Sequence, residues 1–244
     1  MFRSSRDAPS TAPAAFQRQH ADLSRAQIIS LQHINGHIRA VGLKMSTSTP
    51  TTSIYGPLRN GSDEIRLIMI EPSSSIFDEI HCSIEIVELS KAPKYYALSY
   101  TWGEANITED IKLSDCSVRV TTNLAAALRR IRCWKEPTSF WIDAICINQN
   151  SVLEKNHQVP LMATIYSQAE KVVMWLGEEG DDSERAIDFI KRWRDGIANT
   201  KKKRAAAYVT RRLSTILSFV EDPLHKQSVQ AVRCLLNRSY WSRI

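Results

Sequence analysis

Between Tyr95 and Gly177 short apolar, β-rich runs alternate with stretches of helical periodicity, and that alternation leaves few architectures open. Tyr95-Tyr96-Ala97-Leu98-Ser99-Tyr100-Thr101 reads as a strand closed by Trp102-Gly103, and residues 110–121 as a hairpin with a Ser114-Asp115 turn. Asn123 can cap a helix whose Leu124, Leu128 and Ile131 fall at i, i+4 and i+7, and Pro137 closes that element. Phe140-Trp141-Ile142 is apolar without alternation, as suits a strand covered on both faces. The next helix places Val159, Met162, Ala163 and Tyr166 on one stripe, with Pro160 in its first turn or at a kink. Residues 171–176 form a further buried strand, ending at Gly177. The expected fold is α/β, a largely parallel sheet flanked by helices with a β-hairpin insertion.

Upstream, residues 64–70 read as a first strand, and residues 82–89 as a second with one wet face, Ile84 and Ile86 opposing Glu85 and Glu88. Beyond Gly180 the pattern is helical. Ser183 can cap a helix with Ala186, Ile187, Ile190 and Trp193 inward; a second carries Val209, Leu213, Ile216, Leu217 and Val220; a third, after Pro223, carries Val232, Leu235 and Leu236. Three segments follow: an N-terminal extension over 1–53, a core over 54–180 and a helical segment over 181–244. The extension is rich in Ser, Thr, Ala, Gln and Arg and reads as disordered, although its Arg-rich, acid-poor make-up also fits a mitochondrial transit peptide, and Met45 is a conceivable alternative start. Lys201-Lys202-Lys203-Arg204 reads as a solvated basic turn before a nuclear-import signal.

A chain of 244 residues with 43% hydrophobic and 24% charged residues is long enough to bury a proper core. No apolar run approaches the ~18 residues of a membrane helix. Cys82, Cys116, Cys133, Cys146 and Cys234 are odd in number and widely spaced, which reads as reduced thiols of an intracellular, cytoplasmic protein. The net charge of +6 divides into +4 over residues 1–45, −5 over 46–180 and +7 over 181–244. The motif-bearing middle is therefore acidic, which argues against phosphate-backbone binding and makes nucleic acid a poor candidate partner.

If the three apolar strands are parallel, the turns at Trp102-Gly103-Glu104, at residues 143–149 and at Gly177-Glu178-Glu179 gather at the carboxyl edge of the sheet, where open α/β sheets place ligands. Asp143 is a candidate catalytic acid, or else caps the turn that follows it. Asn148 and Gln149 offer amide groups suited to sugar hydroxyls or an adenine edge, or simply form the turn. Glu154, His157 and Gln158 share one helix face, with Glu154 a second candidate acid. Cys146 reads as core packing, and His33 and His37 have metal-like spacing without a carboxylate pattern, so no metal site is assigned. No phosphate loop, HExxH, GxSxG or kinase motif occurs.

Several blocks in order resemble the heterokaryon-incompatibility (HET) domain of filamentous fungi. They are residues 96–103; Asn123-Leu124 with Ala127-Leu128; residues 141–149; Glu154, Gln158-Val159, Met162, Ile165-Tyr166 and Ala169; and Val173 with Trp175-Leu176-Gly177. Pro57-Leu58 and Ile65-Arg66-Leu67 resemble the usual entry to it. The resemblance implies a role in vegetative incompatibility, in which fusion of unlike hyphae triggers arrest and death, exerted through self-association or through other incompatibility proteins. It also implies a flavodoxin-like fold distantly akin to Toll/interleukin-receptor (TIR) domains, some of which cleave NAD with a catalytic glutamate while others are adaptors. Trp102, Gly103, Asp143, Asn148, Gln149, Gln158 and Gly177 are the expected ligand-binding set, and the likeness adds NAD as a possible substrate, with no resident cofactor. Arg238, Tyr240, Trp241 and Arg243 resemble the opening of a family motif, Arg-x-Tyr-x-x-Arg-x-Trp-x-x-Gln-Glu, whose glutamate would lie past Ile244, so a C-terminally truncated domain inactive on NAD is expected.

Overall fold

The computed structural model describes residues 54–59, 61–133, 135–200 and 223–243. The readings of residues 1–53, of the basic run at 201–204 and of the helix over 209–220 lie outside them. Seven strands form one sheet in the order β5-β4-β2-β1-β6-β3-β7. They are β1 Glu64–Ile70, β2 His81–Glu88, β3 Tyr96–Tyr100, β4 Thr108–Leu113, β5 Cys116–Thr121, β6 Thr138–Trp141 and β7 Lys171–Trp175. The helices are α1 Thr122–Ile131, a single turn α2 Asp143–Cys146, α3 Val152–Gln168, α4 Ser183–Thr200 and α5 Pro223–Leu236.

The α/β class is as expected, and the parallel part of the sheet is β6–β3–β7, with β2–β4 parallel as well. β1 runs antiparallel to both β2 and β6, and β4–β5 is the expected antiparallel hairpin. Connection length explains the mixture. The ten residues between β1 and β2 are too few for a crossover, whereas helix-bearing links can return a strand in the same direction. The hairpin turns at Ser114, whose φ of 53° is left-handed.

β1 is buried along nearly its whole length because it lies between two strands and under helices, and Ile65, Leu67, Ile68 and Ile70 are fully covered. They meet Leu98, Phe140, Trp141, Leu128 and Ile165 in the main core. The apolar face of β2 fades instead, from buried Cys82 to Ile86 at 42% exposed, since β4 pairs only with His81 and Cys82. A second cluster joins Met174 and Leu176 to Ala186, Ala231, Leu235 and Tyr240, so α4 and α5 cover β7 at the sheet edge.

Five local expectations change. Thr121, not Asn123, caps α1, its hydroxyl accepting from the Leu124 N–H at 3.3 Å. Pro160 lies inside the 17-residue α3. On that helix Met162 is buried and Val159 and Tyr166 pack half-buried against the core as expected, whereas Ala163 is exposed and Gln158 and Ile165 fill the rest of the buried stripe. Trp193 and Leu236 point outward, 52% and 53% exposed, since α4 and α5 bury Ala186, Ala231 and Leu235 against β7 and turn their flanks to solvent. Ser183 is the first residue of α4 rather than its cap; its hydroxyl accepts from the Gly180 N–H at 3.2 Å. Among the described residues no helix is long and apolar enough to cross a membrane.

Candidate functional site

β3 and β7 end level with each other at Tyr100 and Trp175, while β6 stops at Trp141, level with Ala97, and the segments leaving the three strands meet at one edge. β6 runs into Ile142, still extended, and then into the single turn α2. Asp143 opens that turn and is 6% exposed. Its Oδ1 accepts from the Ala144 N–H at 2.8 Å, satisfying a donor that a helix start leaves unpaired. Its Oδ2 accepts from the Trp102 indole N–H at 3.2 Å, so the turn after β3 is tied to the turn after β6. Gln149, 8% exposed, donates to the Asp143 carbonyl at 2.8 Å and closes the loop on itself.

Asn123 adds the third turn. Its amide donates to the Thr101 carbonyl at 2.6 Å, and its Oδ1 accepts from the Trp175 indole at 2.9 Å. It therefore bridges the ends of β3 and β7 from the first turn of α1. Gly103, with φ +76°, passes so close that a Cβ there would sit 3.1 Å from the Asn123 Cβ. Gly177, φ +100°, starts a loop that wraps Arg238. The Arg238 guanidinium donates to the carbonyls of Leu176, Glu178 and Gly180 at 3.1, 3.0 and 2.9 Å. Beside it Tyr240 shares a hydrogen bond of 2.8 Å with Ser99 on β3.

Trp102, Gly103, Asp143 and Gln149 thus lie in one polar network at the carboxyl edge, with Gly177 in the third turn. Glu154 and Gln158 belong to a different one. The Glu154 carboxylate accepts from Arg66 at 2.5 and 3.1 Å and from the Asn148 N–H at 2.7 Å. Arg66 also donates to the carbonyls of Cys146 and Gly56 at 3.1 and 2.7 Å, and its guanidinium lies 4.9 Å from the Tyr55 ring centroid. Gln158, fully buried, donates to the Glu64 carbonyl at 2.8 Å. Asn148 joins this second network through its backbone N–H, and its Oδ1 accepts from the Asn150 N–H at 3.1 Å. Both oxygens of Asp143 and both of Glu154 are thus occupied inside the protein. Neither candidate acid presents a bare carboxylate.

The sequence marks Asn123 as a cap, and Arg66 and Arg238 only as parts of family blocks. For Arg66 a signal existed: a lone charge inside an apolar strand needs a buried partner. For Asn123 and Arg238 their partners are 52 and 62 residues away, beyond any local pattern. Cys146 is core, as expected: burial pushes its thiol up to about 12, as it does that of Cys82. Among the described residues no group of three or more His, Cys, Asp or Glu could hold a metal. A cavity of about 600 Å³ does exist, lined by Glu71, Pro72, Ser73, Ser74, Asp78, Glu79, His81 and Arg132. It lies at the opposite end of the sheet, since β1 ends beside the start of β6.

The family model described as heterokaryon incompatibility protein (HET) matches residues 95–244, more than half of the chain. The chain belongs to the heterokaryon incompatibility family. The match takes in the whole carboxyl-edge network and both helices that cover β7, while β1 and β2 lie upstream of it. The chain is similar to the heterokaryon incompatibility protein 6, OR allele, of Neurospora crassa, at 40% identity over 146 residues. That alignment covers 54% of this chain and 22% of the relative, so the HET chain spans about a fifth of the length of the protein it matches. No solved structure matches it significantly.

Proposed function

We propose that this HET module acts in fungal vegetative incompatibility, in the cytoplasm, as a signalling unit that leads to growth arrest and cell death by associating with itself or with other incompatibility proteins. The family match and the incompatibility protein of Neurospora crassa support the setting. What favours association over catalysis is the state of the carboxyl edge: Asp143 is 6% exposed, and its carboxylate is engaged by Trp102 and the Ala144 N–H. A catalytic acid has to reach a substrate proton or atom, and this one is held by its neighbours. The same engagement makes the NAD-cleaving reading the weaker one.

The test is inducible expression in a filamentous fungus, with growth scored beside sedimentation of the purified chain over a hundredfold concentration range and an NAD-consumption assay. Growth arrest with concentration-dependent assembly and unchanged NAD supports the proposal. A monomeric, non-toxic protein refutes it, and NAD turnover abolished by Asp143→Asn would replace association with catalysis.

A further inference from the structure

β5 is an open edge of the sheet. It stands first in the strand order and, among the described residues, pairs only with β4, whereas β7 at the other edge is covered by α4 and α5. The Lys112 N–H donates to the Ile80 carbonyl at 2.9 Å and the Ser114 N–H to the Cys82 carbonyl at 2.6 Å, so Lys112 turns its backbone groups toward β2. The alternate positions of β4 face β5, where Leu113 opposes Cys116, Ile111 opposes Val118 and Glu109 opposes Val120. The residues between them on β5 then point their backbone groups the other way. The amide and carbonyl groups of Ser117 and Arg119 therefore face outward, and no backbone hydrogen bond among the described residues reaches them.

Such an edge is a template for another strand, and folded proteins usually blunt it with proline, lysine, a bulge or a very short strand. β5 has none of these: its six residues, Cys-Ser-Val-Arg-Val-Thr, pair one to one with β4 without a bulge. Its one charge, Arg119, is turned on Asp110 of the neighbouring strand at 3.7 Å.

The complement of this edge is the same strand of a second copy. A two-fold axis at Val118 sets Ser117 of each copy opposite Arg119 of the other, and both open positions exchange backbone hydrogen bonds within the bounds of the strand. An axis at Arg119 would oppose two guanidinium groups. An axis at Ser117 would set Arg119 against Asp115, inside the turn that begins at left-handed Ser114. On the core face the axis at Val118 joins buried Ile111 and half-buried Val118 to their counterparts in one apolar row. On the solvent face each cation keeps its own anion, Arg119 with Asp110 and Lys112 with Glu79 at 3.9 Å, so no like charges meet unpaired.

We propose that two copies pair antiparallel through β5 about an axis at Val118, joining their sheets into one. The inference rests on the self-association reading and names the surface and the symmetry. The same strand serves both partners, so the contact closes at a dimer. Main-chain groups supply the affinity, and the side chains set the register.

Sedimentation of the full chain tests this with two substitutions at one position. Arg119→Pro removes an outward amide while sparing the ladder to β4, and should weaken association about thirtyfold. Arg119→Ala keeps that amide and should leave association within about threefold. Val118→Cys places two thiols across the axis in a non-hydrogen-bonded pair, about 4.5 Å apart at Cα, and should give a disulfide-linked dimer on air oxidation. The wild type and Ser117→Cys should not cross-link. The proposal is overturned if the wild type associates and Arg119→Pro associates equally well, if Arg119→Ala loses as much as Arg119→Pro, or if Val118→Cys stays unlinked; self-association then stands on other surfaces. Should Arg119→Pro lower the urea midpoint, the Val118→Cys cross-link decides. A wild type that stays monomeric at all concentrations overturns both readings.

Discussion

Gly103 and Gly61 adopt nearly the same left-handed backbone, φ +76° and +75°, yet they stand in different surroundings. A Cβ at Gly61 would meet nothing within 4 Å, whereas at Gly103 it would press on Asn123, which hydrogen bonds at both ends hold in place. Gly61→Ala should therefore cost only the conformational term, about 1–2 kcal/mol, and Gly103→Ala about 1 kcal/mol more for the contact. Urea unfolding of the two variants measures the difference; equal losses would mean that Asn123 yields freely. Asp143→Ala leaves the Trp102 indole and the Ala144 N–H without their acceptor and should destabilise by about 2–3 kcal/mol in the same assay. Asp143→Asn keeps one acceptor oxygen and should lose less. If Asp143→Asn retained full stability but abolished growth arrest, the carboxylate would be functional and not merely structural.

Glu154 and Arg66 matter at the scale of elements. Their ion pair, with side chains 14% and 1% exposed, joins α3 to β1, and through the Gly56 and Cys146 carbonyls it reaches the entering segment and the turn α2. Glu154→Ala would strand a buried guanidinium and should cost about 3–5 kcal/mol, read as a shift of the urea midpoint. Replacing both residues with apolar ones of similar size should cost far less, because no charge is left unpaired. A Glu154→Ala protein of unchanged stability would contradict the burial of Arg66. Elements were the most legible scale in the sequence. The strand at 64–70, the hairpin and the strand closing before Gly177 all announce themselves by alternation, turn residues or unbroken apolar runs. Among the misplaced features were a cap, where Thr121 and Asn123 are both good capping residues two positions apart, and the α3 stripe, where the period placed Met162 inward but left out Gln158 and Ile165.

For the molecule as a whole, ionisation sets the pH range of stability. The Arg129 guanidinium bonded to Glu109 holds its carboxyl below the ordinary range, and Arg59 does the same for Glu64. Groups with depressed folded values stabilise the fold above the ordinary carboxylate range and lose that contribution as pH falls through the folded value. The urea midpoint should therefore fall between pH 6 and pH 3, and added salt should narrow the drop because Arg59 is exposed and the Arg129–Glu109 pair is partly so. At the alkaline end the sign reverses. Cys82 and Cys146, raised to about 12, hold their protons in the fold at pH values where the unfolded chain releases them, so stability declines as pH rises above about 9. Native alkylation at pH 8 should accordingly spare Cys82 and Cys146 and modify the partly exposed Cys116, Cys133 and Cys234. Rapid loss of all five thiols would show that the core opens.

The sequence by itself determined the α/β class, the run of strands and helices, the blocks that mark the family and the three polar turns leaving the apolar strands. These depend on each residue and its near neighbours: alternation makes a strand, a 3.6 period makes a helix, and glycine after an apolar run makes a turn. The tertiary structure alone decided that β1 lies antiparallel to β6, that Glu154 answers Arg66 across 88 residues, and that Asn123 ties Thr101 to Trp175. Buried hydrogen-bonding groups must be paired, but which partner satisfies them depends on where distant segments pack, and no local pattern carries that information. The carboxyl edge is present in the sequence only as three turns that parallel strands would bring together, and in the fold as a closed network with its acids already engaged.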